Sequence, residues 1–339
     1  MYTIIERNKN ILLTINNKKI KGQTIFTTYE WITYLEMDGK GKPVVLEILD
    51  GKRTVAYFVG LLFKKMGIRI MGSPFEGWGT SDMGFIIVDD CDKLQLLKSI
   101  QLFSYSSLKC YYLEIADKQF TSDDLDKTPY EVNWKKTLMI DISQPEDVLF
   151  SSFKKDVRNF IRQFEKRGAK LEQVTPSDNF AVEHYNQLID VFKKQHLNPP
   201  YNVNRVKNLM RAFKDSPEKI LCMRVISPNN EPIATSIYLG LNGKCYSWAT
   251  SSYRNFQQYR PNETIRWYGI LYWKSQGFTE FDMVGYRDYK IKFAPYEYEY
   301  PQIIITKYKQ LIKIRKLAKY IIQLFRKYKG KIFIVSKKN

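Results

Sequence analysis

The stretch from Thr264 to Phe293, TIRWYGILYWKSQGFTEFDMVGYRDYKIKF, constrains the fold of this chain more than any other. Tyr268, Leu271, Tyr272 and Ser275 fall at helical spacing, and Ile265, Trp267 and Ile270 broaden the apolar surface, which predicts a helix half buried against a sheet. Gly277 is placed to stop that helix. Phe278 to Val284 then reads as a strand, with Thr279, Glu280 and Asp282 preventing it from being apolar on both faces. Gly285 follows at once, where the absence of a Cβ allows a tight turn or the close approach of a ligand.

A chain of 339 residues suits two domains better than one core. Its 44% hydrophobic and 15% aromatic content supports packed domains and excludes disorder as the default. Cys91, Cys110, Cys222 and Cys245 lie far apart with no CxxC pair, which argues against a zinc site or a disulfide framework and for buried thiols in a reducing compartment. The N-terminus lacks a signal-peptide pattern and no apolar run approaches the length of a membrane span, so the expectation is a cytoplasmic protein without metal. The formal charge of +19 is the outlier, and it points to an anionic partner: a membrane surface, nucleic acid or a phosphorylated substrate.

Along the chain, Tyr2 to Ile15 alternates apolar and polar residues, and TYEWITYLEMDG predicts a short helix ending near Gly39. KPVVLEILDGKRTVAYFVGLLFKKMGIRIMG reads as two or three strands, the first turn at Asp50-Gly51. The loop from Gly72 to Gly84 holds Phe75 and Trp78 among its glycines; it either bends over a ligand and stacks on it or is a surface connection with packed aromatics. Helices are predicted at 91–103, 153–166, 180–192 and 203–213, and strands at 109–115, 134–140 and 221–227. Ser143 and Glu146 have capping-box spacing, and further hairpins are signalled at Asn229-Asn230 and Asn242-Gly243. Alternating helices and strands in two blocks predict two mixed α/β domains.

Three blocks carry a family resemblance: Lys136 to Glu172, Ala234 to Tyr253, and Asp282, Gly285, Tyr289, Lys290 and Phe293 in the opening stretch. Their order and spacing over roughly residues 134–294 resemble the Fem-type peptidyltransferases and the FemAB-like acyltransferases of the GNAT superfamily. The resemblance implies two GNAT-like domains in tandem, 1–142 and 143–305, followed by a basic amphipathic tail, 306–339. It also implies acyl-CoA as donor, with the pyrophosphate at a helix N-terminus. The corresponding residues are Arg254, Arg260 and Asn262 in RNFQQYRPNETIRW, where the glycines of the GNAT turn are absent.

For catalysis the resemblance singles out Lys290, as a cation that stabilises negative charge or anchors a phosphate, with Arg287 and Lys292 assisting. Asp282 is a candidate base or a structural tie; Tyr289 or Tyr286 is a candidate proton donor, and His196 a loop residue available for proton transfer. His184, inside a helix, reads as packing. Arg158, which matches an arginine of the family, is a candidate phosphate or interdomain contact, or one member of a solvated basic face. Trp78 and Trp248 complete the candidate substrate-binding set.

From Lys307 to Asn339 there is no acid. Tyr308, Leu311, Ile314, Ala318, Ile321, Phe325 and Tyr328 form an apolar stripe, with Lys309, Lys313, Lys316, Lys319, Arg326, Lys327 and Lys329 on the rest. Three readings stand: a helix lying on an anionic membrane, a helix packed on the second domain, or an RNA-backbone contact. The function expected is transfer of an acyl group from acyl-CoA to an amino group, on an amino sugar of a cell-envelope polysaccharide or its lipid-linked precursor, at the inner face of the membrane. The alternatives are a Fem-type ligase using aminoacyl-tRNA on a peptidoglycan precursor and a non-catalytic membrane-associated binding module.

Overall fold

The computed structural model describes residues 2–16, 20, 22–126, 128–193 and 197–321. The first half opens with β1 (Thr3–Arg7) and α1 (Ile11–Asn16), then α2 (Tyr29–Met37). The alternation predicted over residues 2–15 thus splits into a strand and a helix. Three strands follow, β2 (Lys42–Asp50), β3 (Arg53–Lys65) and β4 (Ile68–Ser73), then β5 (Gly84–Ile87) and α3 (Lys93–Ser106). The first turn falls where the sequence signals it, with Gly51 at φ 60°; the second lies at the Met66-Gly67 pair, with φ of 50° and 76°. β6 (Tyr112–Ala116) and α4 (Ser122–Leu125) complete this half.

The second half runs through β7 (Glu131–Asp141), α5 (Glu146–Ser152), α6 (Lys155–Phe164), β8 (Lys170–Val174), α7 (Asp178–Lys193) and α8 (Val203–Ala212). It continues with β9 (Ile220–Ile226), β10 (Pro232–Leu241), β11 (Lys244–Ser252), α9 (Pro261–Ser275), β12 (Glu280–Asp282) and β13 (Tyr296–Thr306). Two expectations are corrected here. No capping box forms at Ser143, whose hydroxyl instead donates to Asp141 Oδ1 at 2.5 Å; α5 starts after Pro145 without a side-chain cap. The strand predicted over 278–284 has only three residues, because Asp282 spends its carboxylate on the turn that follows.

Among the described residues all thirteen strands share one sheet, ordered β1-β2-β3-β4-β6-β13-β7-β12-β11-β10-β9-β8, with β5 on β3. The last strand unites the halves. β13 lies antiparallel between β6 and β7, with Ile303 opposite Ile115 on one side and Val132 on the other. The sheet therefore has no free edge between the halves. Strand 131–141, which a boundary at 142/143 leaves in the first unit, bonds to β12 and β13. A core cluster built on Phe26, Trp31, Tyr34, Phe213, Ile220 and Tyr246 also crosses the seam.

Residues 309–321 form a helix. It rests mainly on the first half, with Arg315 on Glu114 and Leu311 beside Ile68 and Ile70, and meets the start of β7 through Lys316 and Glu131. Phe325, Tyr328, Arg326, Lys327, Lys329 and His196 lie outside the described residues.

Candidate functional site

The site grows from one irregularity in the sheet. β11 and β12 run parallel and pair only at Lys244–Tyr246 with Glu280–Asp282. β12 then stops while β11 continues to Ser252, so the two strands part, and β10 carries a register shift against β11 between Ile237 and Tyr238. Beyond β12 the chain turns sharply, with Val284 at φ 57° and Gly285 at φ 77°. No atom lies within 4 Å of where a Cβ on Gly285 would be, so among the described residues the turn, not a close approach, accounts for this glycine. A β-branched residue with positive φ persists only where its surroundings over-determine it.

Those surroundings are two lysines and a threonine. Lys290 Nζ donates to the carbonyls of Met283 (2.6 Å), Val284 (2.9 Å) and Gly285 (3.2 Å). Thr137 Oγ1 donates to Asp282 Oδ1 at 2.6 Å and accepts from Gly285 N at 2.9 Å. Asp282 Oδ1 also accepts from Val284 N, and its Oδ2 meets Lys118 Nζ at 2.6 Å. Lys118 reaches Asp82 as well, at 3.2 Å. Loops from both halves thus converge on one buried carboxylate.

The candidates fall into three places. At the turn, Asp282 is fully buried with both oxygens engaged, Lys290 is 7% exposed, Arg287 is exposed and Tyr289 is 58% exposed. Burial, helped by the Arg266 and Arg287 guanidiniums, pushes the Lys290 ammonium down to about 8 although three carbonyls solvate it. At the start of α9, Arg260 takes a left-handed conformation (φ 52°) before Pro261, and no side chain caps the helix. Its guanidinium lies 4.2 Å from the Phe160 ring, and with Arg167, Gln258 and Tyr259 it lines a groove of about 540 Å³. Asn262 Nδ2 donates to Ser252 Oγ at 2.9 Å, while its buried Oδ1 has no hydrogen-bond partner among the described residues. Arg254 points elsewhere, to Asp190 at 3.3 Å.

The third place is the glycine-rich loop. Trp248 Nε1 donates to Gly79 O at 2.9 Å, and Arg205 grips the Gly77 and Trp78 carbonyls and the Tyr34 hydroxyl. Trp78 is 5% exposed and packs on Phe63 and Phe75, so of the two readings of this loop the packed one describes its ring. Arg158 donates to the carbonyls of Ser151 and Phe153 and fastens the corner between α5 and α6. His184 is fully buried with Nδ1 2.9 Å from Thr235 Oγ1, and burial pushes its pKa down to about 4.

Sequence reasoning missed Lys118, Asp82, Asp117, Thr137 and Arg205. Lys118 is one of 54 basic residues and sits in what reads as a plain polar loop, 164 residues from its partner Asp282. Asp117, Lys118 and Asp82, with Thr27, Lys244 and Tyr298, line a cavity of about 100 Å³ between the halves. Burial pushes the Asp117 carboxyl up to about 7 against two backbone amides that favour its charge. No cluster of three or more metal-ligating side chains occurs among the described residues.

Residues 151–298 match the family described as Acetyltransferase (GNAT) domain. Among solved structures the chain is similar to FemX, at TM-score 0.69 and 11% identity over 88% of this chain and 96% of that one. It is also similar to the C-terminal domain of a putative lysylphosphatidylglycerol synthetase from Agrobacterium fabrum (TM-score 0.56, 9% identity, 93% and 98% covered). A third is a tandem GNAT protein from the clavulanic acid biosynthesis pathway (TM-score 0.52, 7% identity, 90% and 98% covered). No curated protein matches the chain. The start of α9 fits an anionic cofactor such as acyl-CoA: an uncapped first turn offers its N–H groups, Arg260 and Arg167 bring positive charge, and Lys292 neutralises Glu263 at 2.6 Å. Residues 151–298 thus match the acetyltransferase (GNAT) domain family, and the chain as a whole shares its fold with FemX and with the tandem GNAT protein.

Proposed function

We propose that this protein transfers an acyl group from acyl-CoA to the amino group of an amino sugar, in a cell-envelope polysaccharide or its lipid-linked precursor, at the inner face of the cell membrane. The observation that carries the reading is the parallel pair β11–β12 that parts after Tyr246 and Asp282, with the uncapped start of α9 next along the chain. Arg260, Arg167 and the first N–H groups of α9 would hold the diphosphate. Acyl-CoA supplies an activated thioester. Transfer needs an amine freed of its proton and a route for a second proton to the departing thiolate.

Lys290 holds the 283–285 turn and, titrating at about 8, exchanges a proton near neutral pH. Both oxygens of Asp282 are engaged, which favours its role as a tie. Asp117 lines the seam cavity with a carboxyl pushed up to about 7, but its oxygens too are engaged, by Phe85 N and Gln119 N, so it is likewise held in place. Tyr289 and Arg287 stand exposed on the same loop, within reach of an acceptor.

Thermal stabilisation of the purified protein by a panel of acyl-CoAs, with free CoA as control, tests the reading. A saturable shift with one acyl chain, followed by thiol release on adding an amino sugar, is the expected result. No shift with any acyl-CoA, and a shift with charged tRNA, would move the donor to aminoacyl-tRNA.

A further inference from the structure

Helix 309–321 turns its charge inward. Arg315 pairs with the fully buried Glu114, lies 3.6 Å from Glu76 and places its guanidinium 4.1 Å from the Phe75 ring. Lys319 pairs with Glu76, and Lys316 approaches Glu131 at 3.0 Å. Glu114 also accepts from Gln302 at 2.5 Å, and its position on β6 holds the helix against the sheet. Three of the basic residues that a surface helix would offer to an anionic partner are thus committed to glutamates of the sheet and its loops, Arg315 and Lys319 to the first half and Lys316 to the start of β7.

The outward edge is correspondingly apolar. Ile314 is 48% exposed, Leu317 59% and Ile321 42%, at i, i+3 and i+7, with Tyr320 beside them at 59%. Across a groove floored by Ile68, Ile70 and Tyr112 stands Met66, 80% exposed at the tip of the β3–β4 hairpin. Met66 occupies a left-handed turn position (φ 50°) that Asn or Gly would fill with less strain, so the fold gives no reason for a large apolar side chain there. Exposed Lys64, Lys65, Lys309 and Lys313 rim the patch. The chain then runs on through QLFRKYKGKIFIVSKKN, which adds six basic residues, Arg326, Lys327, Lys329, Lys331, Lys337 and Lys338, and no acid.

An apolar edge rimmed by lysines matches a bilayer bearing anionic headgroups: the side chains enter the acyl boundary while the ammonium groups meet phosphates. A nucleic-acid backbone would use the lysines but leave Met66, Ile314 and Leu317 exposed to water. We propose that Met66, Ile314, Leu317, Tyr320 and Ile321 form a docking surface for an anionic lipid bilayer, and that helix 309–321 is held rigidly on the first half to present it. The surface extends the membrane-side reading given above and is independent of the acyl donor. Because Glu76 and Phe75 belong to the loop whose Gly77–Gly79 carbonyls hold Arg205 and Trp248, the docked face is also physically joined to that loop.

The test is co-sedimentation of the full-length protein with phosphatidylcholine vesicles, with and without phosphatidylglycerol, in the absence of any donor or acceptor. Binding is expected only to the anionic vesicles. Leu317→Glu and Met66→Glu should each weaken it about tenfold or more with an unchanged melting temperature. Full binding by both variants would overturn the proposal, as would no binding by the wild type. Salt-sensitive retention that ignores Leu317→Glu and is competed by tRNA would assign the patch to a phosphate backbone instead. A dimer that Leu317→Glu dissolves, without vesicle binding, would make it a contact between copies. Loss of vesicle binding leaves acyl-CoA stabilisation untouched, so the two proposals fail separately.

Discussion

Lys118 and Lys290 grip the same turn, residues 282–285, from opposite ends, and their environments push them in opposite directions. Lys118 comes from the first half and sits between Asp282 and Asp82 with a 7% exposed side chain; these carboxylates outweigh its burial and raise its pKa well above the ordinary lysine value. Lys290 comes from the turn's own loop and meets only carbonyls, with Arg266 and Arg287 nearby, so burial wins and its pKa falls to about 8. Charge partners make a lysine a permanent rivet, whereas dipoles alone leave it able to give up its proton. The seam between the halves uses the first kind and the loop nearest the proposed chemistry uses the second.

Removing the rivet should have the largest effect. Lys118→Met leaves Asp282 and Asp82 buried without their cation and should cost about 3–5 kcal/mol in urea unfolding. Restoring much of that loss in the double variant with Asp282→Asn would show that the unpaired charge, not the missing side chain, is the cause. Lys290→Ala strips three carbonyls of their donor and should cost about 1–3 kcal/mol, with turnover falling far more than stability. Normal turnover in that variant would remove Lys290 from the site. Thr137→Val breaks one bridge to Asp282 and one to Gly285 N and should cost about 1–2 kcal/mol.

The finest distinction is pH dependence. Folded Lys290 loses its proton at about 8 and the unfolded chain at the ordinary 10.5, so between these values the unfolded state binds more protons and stability rises with pH. Wild type should therefore gain on Lys290→Met across that interval. Lys118, held above its ordinary value, contributes stability that is complete below 10.5 and lost only at still higher pH. Its difference from Lys118→Met should stay flat over the same interval, and a parallel slope in both series would erase the contrast between the lysines.

Much of the local structure was legible. The helix of the opening stretch appears as α9, ended at Gly277, because an apolar stripe at helical spacing and a glycine stop act within a few residues. Asn242-Gly243 turns with φ of 50° and 81°, since both positions tolerate the left-handed region. The site was legible only in part. Lys290 and Asp282 were found by resemblance, and the structure brings them to one turn, but the resemblance did not indicate that Lys290 points inward or that Asp282 is tied on both oxygens. Arg158 drew attention by matching an arginine of the family and Trp78 as an aromatic in a glycine-rich loop; they serve as a corner clasp and as packing.

By itself the sequence determined the mixed α/β character and the hairpins, because periodicity and turn chemistry are properties of neighbours. Only the tertiary structure decided that β13 crosses back between β6 and β7, that Lys118 meets Asp282, and that the terminal helix rests on the first half with its apolar edge outward. These contacts join residues more than a hundred positions apart, and which of many similar lysines and strands meet is settled by the packing of the whole sheet, not by any local pattern.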